Sequence, residues 1–239
     1  MTKLSRALRC ALLSLLCLPA LADEAAIRKN LAERLQLSKI DEINKSPIPG
    51  LYEVRVGSDI FYTDEQANHL LQGQLFDTKQ RKNLTEERIE KLTAINPKEL
   101  PLADAMVVVR GNGQRKLYVF EDPNCGYCKH FEKDLEKINN VTVYTYLYPI
   151  LGPDSTDKSR NIWCARDKNK AWQDWMLRGV NPPNATCDVS AITRTLDIGR
   201  KYKITGTPTL IFANGTRVPG ALKGEDIEKA LVDASKTPS

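Results

Sequence analysis

Two cysteines separated by two residues, Cys125 and Cys128, constrain the fold of this chain more than any other sequence feature. A strand-like segment over residues 116–121 precedes them, and an amphipathic helical pattern over residues 129–137 follows them. Residues 141–148 again resemble a strand, so this order predicts a βαβ unit. Cys125 would then lie at a helix N-terminus, where free N–H groups and the helix dipole favour a thiolate. We therefore predict that Cys125 attacks disulfides and that Cys128 is the resolving thiol.

Two other roles for Cys125 and Cys128 compete with redox chemistry. A zinc site needs two further ligands, and the remaining candidates form no second close pair. These candidates are Cys164, Cys187, His69 and His130. An inert disulfide across two intervening residues would constrain the unfolded chain little. We therefore favour the redox role and expect neither a metal nor a cofactor.

Two residues that flank the cysteine pair have more than one interpretation. Glu121 ends the strand before the motif, where it would either relay a proton to the buried Cys128 or be an ordinary surface carboxylate. His130 would either stabilise the thiolate or lie on the surface of the helix. For His130 we favour the surface position, because the helix dipole already favours the thiolate. For Glu121 both interpretations stay open.

The pair Thr207-Pro208 directly precedes the apolar strand 209–212. A proline at a strand entry is tolerated, and its peptide bond is either cis or trans. In the functional interpretation, the Thr207 backbone lies beside Cys125 and pairs with an extended substrate peptide. We predict Thr207, Pro208 and the spacer residues Gly126 and Tyr127 as substrate contacts.

The N-terminus predicts export. Lys3, Arg6 and Arg9 precede an apolar run, and a small–x–small pattern ends at Ala22, so residues 1–22 are predicted to be a signal peptide that is cleaved after Ala22. The run is too short to span a membrane. Cleavage leaves four of the six cysteines and lowers the formal net charge from +5 to +2, because it removes three cations. Such a small charge indicates no nucleic-acid or membrane partner, and the expected location is the oxidising periplasm.

The N-terminal unit, residues 23–83, is predicted to be a small α+β domain. Residues 25–37 have a helical pattern, and residues 51–56 and 60–62 form a predicted hairpin. Residues 69–76 are predicted to be a third strand. About sixty residues are near the lower limit for independent folding, which favours oligomerisation.

A linker over residues 84–101 follows, with a charged helix that Thr85 is predicted to cap. Residues 102–239 form a predicted α/β domain, in which strands 106–110 and 116–121 flank a glycine-containing turn. Helices are expected over residues 154–177, 188–202 and 225–234, and strands over residues 209–212 and 217–218.

Cys164 and Cys187 lie far apart and lack the Cys-x-x-Cys spacing, so we favour a structural disulfide for them. A bridge between them would enclose a loop of about 24 residues, which stabilises a fold by roughly 3 kcal/mol in chain-entropy estimates.

Four segments of the sequence resemble the bacterial DsbC disulfide isomerases. They are residues 120–128 (FEDPNCGYC), 162–171 (IWCARDKNKA), 206–208 (GTP) and 214–220 (NGTRVPG). The resemblance implies a cystatin-like dimerisation domain, a linker helix and a thioredoxin-like catalytic domain with a helical insertion. It also implies a homodimer in which the strand around Gly73 pairs with its copy, and a V-shaped cleft that holds misfolded proteins.

The same resemblance implies roles for particular residues and for partners. Thr207-Pro208 would be the cis-proline loop, and Cys164–Cys187 the structural disulfide. A membrane reductase of the DsbD type would keep Cys125 and Cys128 reduced. The order Lys129-His130 is the reverse of the family pattern, which leaves a role for His130 open.

The resulting hypothesis is a disulfide isomerase that rearranges wrong disulfides in exported, misfolded proteins. One alternative is a DsbG-like reductase of sulfenylated cysteines, against which the spacer Gly126-Tyr127 argues, because that branch is associated with a Pro-Tyr spacer. A second alternative is a holdase chaperone in which the cysteines play no part.

Overall fold

A computed structural model describes residues 19–37 and 39–236, and the chain divides into two compact units between Leu92 and Thr93. Residues 1–18, which make up most of the predicted signal peptide, lie outside the described residues. Within the described ranges, no helix has the length and apolar character needed to cross a membrane.

The N-terminal unit packs one long helix against an antiparallel sheet. Its elements are α1 (Pro19–Leu35), β1 (Glu42–Lys45), β2 (Leu51–Val56), β3 (Asp59–Asp64), β4 (Leu70–Leu71), β5 (Phe76–Asp77) and β6 (Lys82–Asn83). The sheet order is β1-β2-β3-β4, and β5 pairs separately with β6. Ile27 and Leu31 of α1 share a buried core with Tyr52 and Val54 of β2. The alternating pattern of β2 correctly predicted this strand and its buried face.

The prediction of one continuous strand over residues 69–76 is wrong. Leu70 and Leu71 pair with β3, the chain then bends at Gly73, and β5 begins at Phe76. The ladder ends because the backbone of Leu75 bonds elsewhere: its N–H donates to Thr85 Oγ1 at 2.9 Å, and its C=O accepts from the N–H of Leu84 at 2.8 Å. Strand β1 was missed, because its short sequence Glu-Ile-Asn-Lys has no apolar alternation.

Helix α2 (Leu84–Thr93) belongs mainly to the N-terminal unit, since the division between the units follows Leu92. Thr85 is not its cap: Asn83 Oδ1 accepts the N–H of Glu86 at 3.2 Å, and the buried Thr85 hydroxyl lies 2.5 Å from the hydroxyl of Tyr62. Arg88 pairs with Glu53 on β2, its Nε lying 3.1 Å from a carboxylate oxygen. These contacts attach the start of the predicted linker to the N-terminal sheet.

The C-terminal unit is a five-stranded sheet with helices around it. Its elements are β7 (Met106–Arg110), β8 (Arg115–Glu121), α3 (Gly126–Leu135), β9 (Val141–Leu147), α4 (Pro153–Trp163), α5 (Lys168–Arg178), α6 (Ser190–Lys201), β10 (Thr209–Phe212), β11 (Arg217–Pro219) and α7 (Gly224–Lys236). The strand order is β11-β10-β8-β9-β7, with β8 and β9 parallel and the other pairs antiparallel. The predicted βαβ unit is thus β8-α3-β9.

Strands β7 and β8 flank the predicted turn at residues 111–113 but do not pair with each other, because β9 lies between them and pairs with both. Gly111 and Gly113 have positive φ and allow a sharp turn, but they do not decide which strand becomes the neighbour. The predicted helix over residues 154–177 is two helices, α4 and α5. The break ends at Asp167, whose carboxylate caps α5 by accepting the N–H of Lys170 at 2.9 Å.

The central strand β8 is buried on both faces, which fixes the position of the residues that follow it. Leu117 and Val119 pack with Phe131 of α3 on one face. On the other face, the rings of Phe120 and Tyr146 stack with their centroids 4.9 Å apart. Strands buried on both faces are typical of sheets covered by helices. The parallel strands β8 and β9 therefore end together at one edge of the sheet, and the Cys-x-x-Cys segment starts there.

Cys164 and Cys187 form a disulfide that joins the end of α4 to the segment before α6. Their Cα atoms are 5.5 Å apart, and 23 positions separate them in sequence. The disulfide therefore closes a loop that contains α5 and restricts the unfolded chain.

We predict that replacing both Cys164 and Cys187 by Ala lowers the free energy of unfolding of the C-terminal unit by roughly 3 kcal/mol, because a long loop is released in the unfolded state. The comparison is made in a Cys125→Ser/Cys128→Ser background, so that no other thiol changes its redox state. All three tryptophans lie in this unit, so denaturant unfolding followed by tryptophan fluorescence reports on it. Equal unfolding midpoints for the two proteins would contradict the prediction.

Candidate active site

Cys125 occupies the N-cap position of α3, as the sequence predicted. Its backbone is extended, with φ −73° and ψ 117°, and its Sγ accepts the N–H of Cys128 at 3.3 Å. Serine, threonine and aspartate oxygens normally cap helices in this way. Here a sulfur takes that position, so the free N–H groups of the first turn are directed at the sulfur.

The buried carboxylate of Asp122 holds the loop that carries Cys125. One of its oxygens accepts from the N–H of Asn124 at 2.8 Å, and the other accepts from the N–H groups of Ile150 and Leu151 at 2.8 and 2.9 Å. The N–H of Cys125 donates to the Asp122 carbonyl at 3.0 Å. Asp122 therefore links the loop before α3 to the loop after β9, a role that the sequence analysis missed.

These surroundings lower the pKa of Cys125 from 9.0 to about 6. The largest cause is a hydrogen bond from the Cys128 side chain; the Thr207 side chain and the backbone N–H groups of Cys128 and Tyr127 add to it, while burial opposes it. Cys125 is only 5% exposed. Because the pKa of Cys125 is about 6, a large fraction of this residue is thiolate at neutral pH. The thiolate is the nucleophilic form.

Cys128 has the opposite character. Its side chain is completely buried, and burial raises the pKa of its thiol far above the ordinary value. The hydrogen bond that it donates to Cys125 and the nearby charge of Glu121 raise that pKa further. Cys128 thus stays protonated while Cys125 ionises, and both are free cysteines.

The Thr207-Pro208 peptide bond is cis, which the sequence left open. The carbonyl oxygen of Thr207 lies 3.2 Å from Cys125 Sγ, and the Thr207 side chain also hydrogen bonds to this sulfur. Pro208 is buried, and its carbonyl accepts the N–H of Gly220 at 2.8 Å. This arrangement brings the extended backbone at the start of β10 directly beside the reactive sulfur.

The surface next to Cys125 is apolar and open. Tyr127 is 73% exposed, Gly126 is exposed, and a Cβ atom at Gly126 would meet nothing within 4 Å. Ile150 and Leu151 are also exposed, in the loop that Asp122 holds. These four residues could contact a polypeptide whose cysteine reaches Cys125.

His130 is exposed on α3, and the hydrogen bonds that lower the pKa of Cys125 come from other groups. This position agrees with the surface interpretation. Gly73 lies in the N-terminal unit, away from this chemistry in sequence. Within residues 19–37 and 39–236, no group of three or more His, Cys, Asp or Glu side chains is arranged to hold a metal ion.

Glu121 is not a surface carboxylate, because its side chain is completely buried. Burial raises its pKa well above the ordinary value, and the nearby charges of Glu132 and Cys125 raise it further. Glu132 on α3 is also buried, and its Oε1 accepts the indole N–H of Trp172 at 2.7 Å. Glu132 was not predicted from the sequence, although it stands between Phe131 and Leu135 on the apolar stripe of the helix.

Comparison with known proteins identifies the two parts of the chain. Residues 19–86 match the N-terminal domain of disulfide bond isomerase proteins, and residues 102–235 match the thioredoxin-like domain. The chain is 46% identical over 206 residues to a probable thiol:disulfide interchange protein DsbC of Bordetella pertussis, covering 86% of this chain and 73% of that protein. It is 30% identical to the DsbC of Escherichia coli K12 over 227 residues, which is 92% of each chain.

A crystal structure of a disulfide interchange protein from Neisseria gonorrhoeae is also similar. It aligns with a TM-score of 0.54 at 38% identity, over 56% of this chain and 98% of that one.

We predict that Cys128→Ala raises the pKa of Cys125 from about 6 toward 9.0, because the largest stabilising hydrogen bond is lost. Cys128→Ser, which keeps a donor, should retain most of the lowered value. Ultraviolet thiolate absorbance as a function of pH measures both.

A Cys128→Ala variant in which Cys125 titrates as in the wild type would show that this hydrogen bond is not the main cause.

The lowered pKa of Cys125 also implies that the stability of the reduced protein depends on pH. The thiolate contributes stability that is fully present above pH 9 and is lost as the pH falls through about 6.

Proposed function

Because the chain belongs to the DsbC family of thiol:disulfide interchange proteins, we propose that it is a disulfide isomerase that rearranges wrong disulfides in exported proteins through Cys125 and Cys128. It is a thiol:disulfide oxidoreductase with a thioredoxin-like domain. The observation that carries the proposal is the contrast between the two thiols: the pKa of Cys125 is about 6, whereas that of the buried Cys128 is raised far above the ordinary value.

The first step is attack by the Cys125 thiolate on one sulfur of a wrong disulfide. A bond forms between Cys125 and this sulfur, and the other substrate sulfur leaves as a thiolate. The freed thiolate can attack a different disulfide in the same substrate. When a substrate thiolate finally displaces Cys125, the enzyme returns to its reduced state and no net oxidation has occurred.

Cys128 provides a slower second exit from the mixed disulfide. Its thiolate would attack Cys125 Sγ, release the substrate as a thiol and leave an oxidised enzyme. Because the pKa of Cys128 is raised, this thiolate is scarce, and the substrate has time to rearrange. An enzyme oxidised in this way needs a reductant, for which the proposed partner is a membrane reductase of the DsbD type.

Substrate binding is proposed to use backbone and apolar contacts rather than charge. The Thr207 carbonyl next to Cys125 can accept an N–H of an extended peptide, as in strand addition. Tyr127, Gly126 and Pro208 would form the adjoining contacts. Contacts of this kind do not depend on one particular side chain, which suits an enzyme that acts on many misfolded proteins.

The proposed setting is the periplasm, reached through the signal peptide of residues 1–22 with cleavage after Ala22. The family supports a homodimer formed by the N-terminal unit. Gly73 is the proposed interface residue, because it lies exposed between two short strands, β4 and β5, whose residues Leu70, Leu71 and Phe76 are exposed apolar side chains. Such exposed apolar edge strands are suited to pairing with another chain.

We predict that Cys125→Ser reduces the refolding of a scrambled disulfide protein to the uncatalysed rate, because the nucleophile is lost. Cys128→Ser should accumulate mixed disulfides with the substrate, visible on non-reducing gels. His130→Gln, an exposed substitution two residues from Cys128, serves as the control and should keep the wild-type rate.

Two outcomes would point to the rival functions. Suppression of aggregation that is equal in wild type, Cys125→Ser and Cys128→Ser, without catalysed refolding, would indicate a holdase chaperone. The wild-type protein could instead rapidly reduce a sulfenylated single-cysteine protein and fail to refold the scrambled substrate. That result would indicate a DsbG-like reductase.

We predict that Gly73→Arg converts the dimer to a monomer in gel filtration with light scattering. A Cβ atom at Gly73 would meet nothing within 4 Å in its own chain, and Gly73 is exposed, so the substitution is expected to act between chains rather than on the fold. Gly73→Ala adds only a methyl group and should remain dimeric. A Gly73→Arg variant that elutes with the wild type would exclude Gly73 from the interface.

A further inference from the structure

Trp175 of α5 contacts the loop that carries Cys125, and disulfide exchange as described above does not use it. Its indole N–H donates to the carbonyl of Pro123 at 2.6 Å. Pro123 is buried, and a proline has no N–H of its own, so its backbone can be held only through this carbonyl. A buried carbonyl without a donor is costly, so the indole stabilises the path of the loop two residues before the reactive sulfur.

The residue after Pro123 is bonded to α4 in a similar way. The Asn124 side chain donates to Asp154 Oδ2 at 2.7 Å and to Ser155 Oγ at 3.1 Å. The Ser155 hydroxyl in turn donates to the Asp122 carboxylate at 2.7 Å. The three residues before the reactive cysteine are therefore all bonded to α4 or α5.

The ring of Trp175 also contacts α3 and α4 through two lysines. The Nζ atom of Lys129 lies 4.1 Å from the ring centroid, and that of Lys158 lies 4.8 Å from it. Contacts of this kind are attractive, because the face of an indole ring is electron-rich. Lys129 directly follows Cys128 near the start of α3, where the N–H groups are directed at the Cys125 sulfur. Trp175 thus contacts both the loop before this sulfur and the helix after it.

We propose that Trp175 is a positioning residue for disulfide exchange: together with the bonds of Asn124 to α4, it fixes the loop before Cys125 relative to the first turn of α3 and keeps the sulfur aligned with its N–H donors. The inference rests on the proposed exchange function and deepens it, because it names the part of the fold that maintains the thiolate. Trp175 acts through the backbone of Pro123 and not on the reacting atoms.

Trp175→Phe tests this role, because it keeps an aromatic ring beside the two lysines and removes the N–H donor to Pro123. The substitution adds and removes no charge. The titratable groups whose charges are coupled to Cys125, namely Cys128 and Glu121, are unchanged in the variant. A change in the titration of Cys125 would therefore report the position of its sulfur.

Trp163→Phe is the matched control. Trp163 is half-buried like Trp175, packs against the same buried cluster, and has the Nζ atom of Lys168 3.6 Å from its ring centroid. The side-chain hydrogen bonds to residues 122–125 come from other partners. Both variants thus lose similar packing, but only Trp175→Phe loses a bond to the loop.

Two measurements are made on each reduced full-length protein, over a pH range that includes both the lowered pKa of Cys125, about 6, and the ordinary value of 9.0. Ultraviolet thiolate absorbance gives the pKa of Cys125. Rapid mixing with excess dithionitrobenzoate, an aromatic disulfide, gives the rate of its attack. In the first phase the Cys125 thiolate bonds to one sulfur of this reagent, and the other sulfur leaves as the coloured thionitrobenzoate anion.

We expect Trp175→Phe to raise the pKa of Cys125 by about one unit, because the N–H donors lose their alignment with the sulfur. A more basic thiolate is scarcer near pH 6 but intrinsically more nucleophilic. The first phase should therefore be about twofold slower than in the wild type near pH 6 and about two- to threefold faster above pH 8, so that the two profiles cross. Trp163→Phe should follow the wild type in both measurements.

Three results would overturn the positioning role of Trp175. They are an unchanged pKa of Cys125 in Trp175→Phe, an equal shift in Trp163→Phe, and a first phase of Trp175→Phe that is slower at every pH, as a merely disordered loop would give.

If Trp175→Phe shows no cooperative thermal unfolding, Asn124→Ala decides. It removes the neighbouring bonds to α4, so it should raise the same pKa, and an unchanged pKa would overturn the inference. The proposed function fails separately, when the wild type does not refold a scrambled disulfide protein although its Cys125 titrates with the lowered pKa.

Discussion

The negative charge on the Cys125 sulfur depends on a small set of hydrogen bonds at the start of α3. The Cys128 N–H reaches the sulfur at 3.3 Å, and the Cys128 thiol donates the bond that lowers the pKa of Cys125 most. Both donors stay aligned only while the loop before the helix keeps its shape. Asp122 maintains this shape through bonds to the backbone of Asn124, Ile150 and Leu151, so one buried carboxylate supports the reactivity of a residue three positions away.

Burial then separates the chemistry of two cysteines that are only one helical turn apart. Cys125 keeps a small exposed fraction and has its sulfur toward Thr207, whereas Cys128 is completely buried in a cluster that includes Leu147 and Trp172. The same hydrogen bond that favours the Cys125 thiolate holds the proton on Cys128. One interaction therefore favours attack on a substrate and delays its release.

The sequence predicted the order of elements around the cysteines because that order follows from local patterns. The strand before Cys125, the helix after Cys128 and the N-cap position of Cys125 all required only residues close in the chain. The two strands around Gly111 and Gly113 were predicted, but their separation in the sheet was not, since β9 lies between β7 and β8 and its parallel pairing with β8 is marked by no local signal. Helix α2 shows the same limit, because its attachment through Thr85 depends on a contact with Tyr62, 23 positions away.

The buried acids were the hardest part of the site to predict, for a related reason. A charged residue type is normally assigned to the surface, and Glu121 at a strand end fits that expectation. The donor to Glu132 comes from Trp172 of α5, 40 positions away, whose indole N–H lies 2.7 Å from the carboxyl oxygen. Asp122 was missed because three of its four bonds go to Ile150, Leu151 and Ser155, which lie 28 to 33 positions away and which a single sequence does not bring together.

The thiolate and the buried acids also act on each other, and the two effects on the redox state are opposite. A low pKa of Cys125 stabilises the reduced pair and makes the disulfide a better oxidant, so the enzyme is reduced easily. The charge of the Cys125 thiolate raises the pKa of Glu121, and by reciprocity any negative charge on the acids disfavours the thiolate. Burial raises the pKa of both Glu121 and Glu132, which favours their neutral forms and so reduces this penalty.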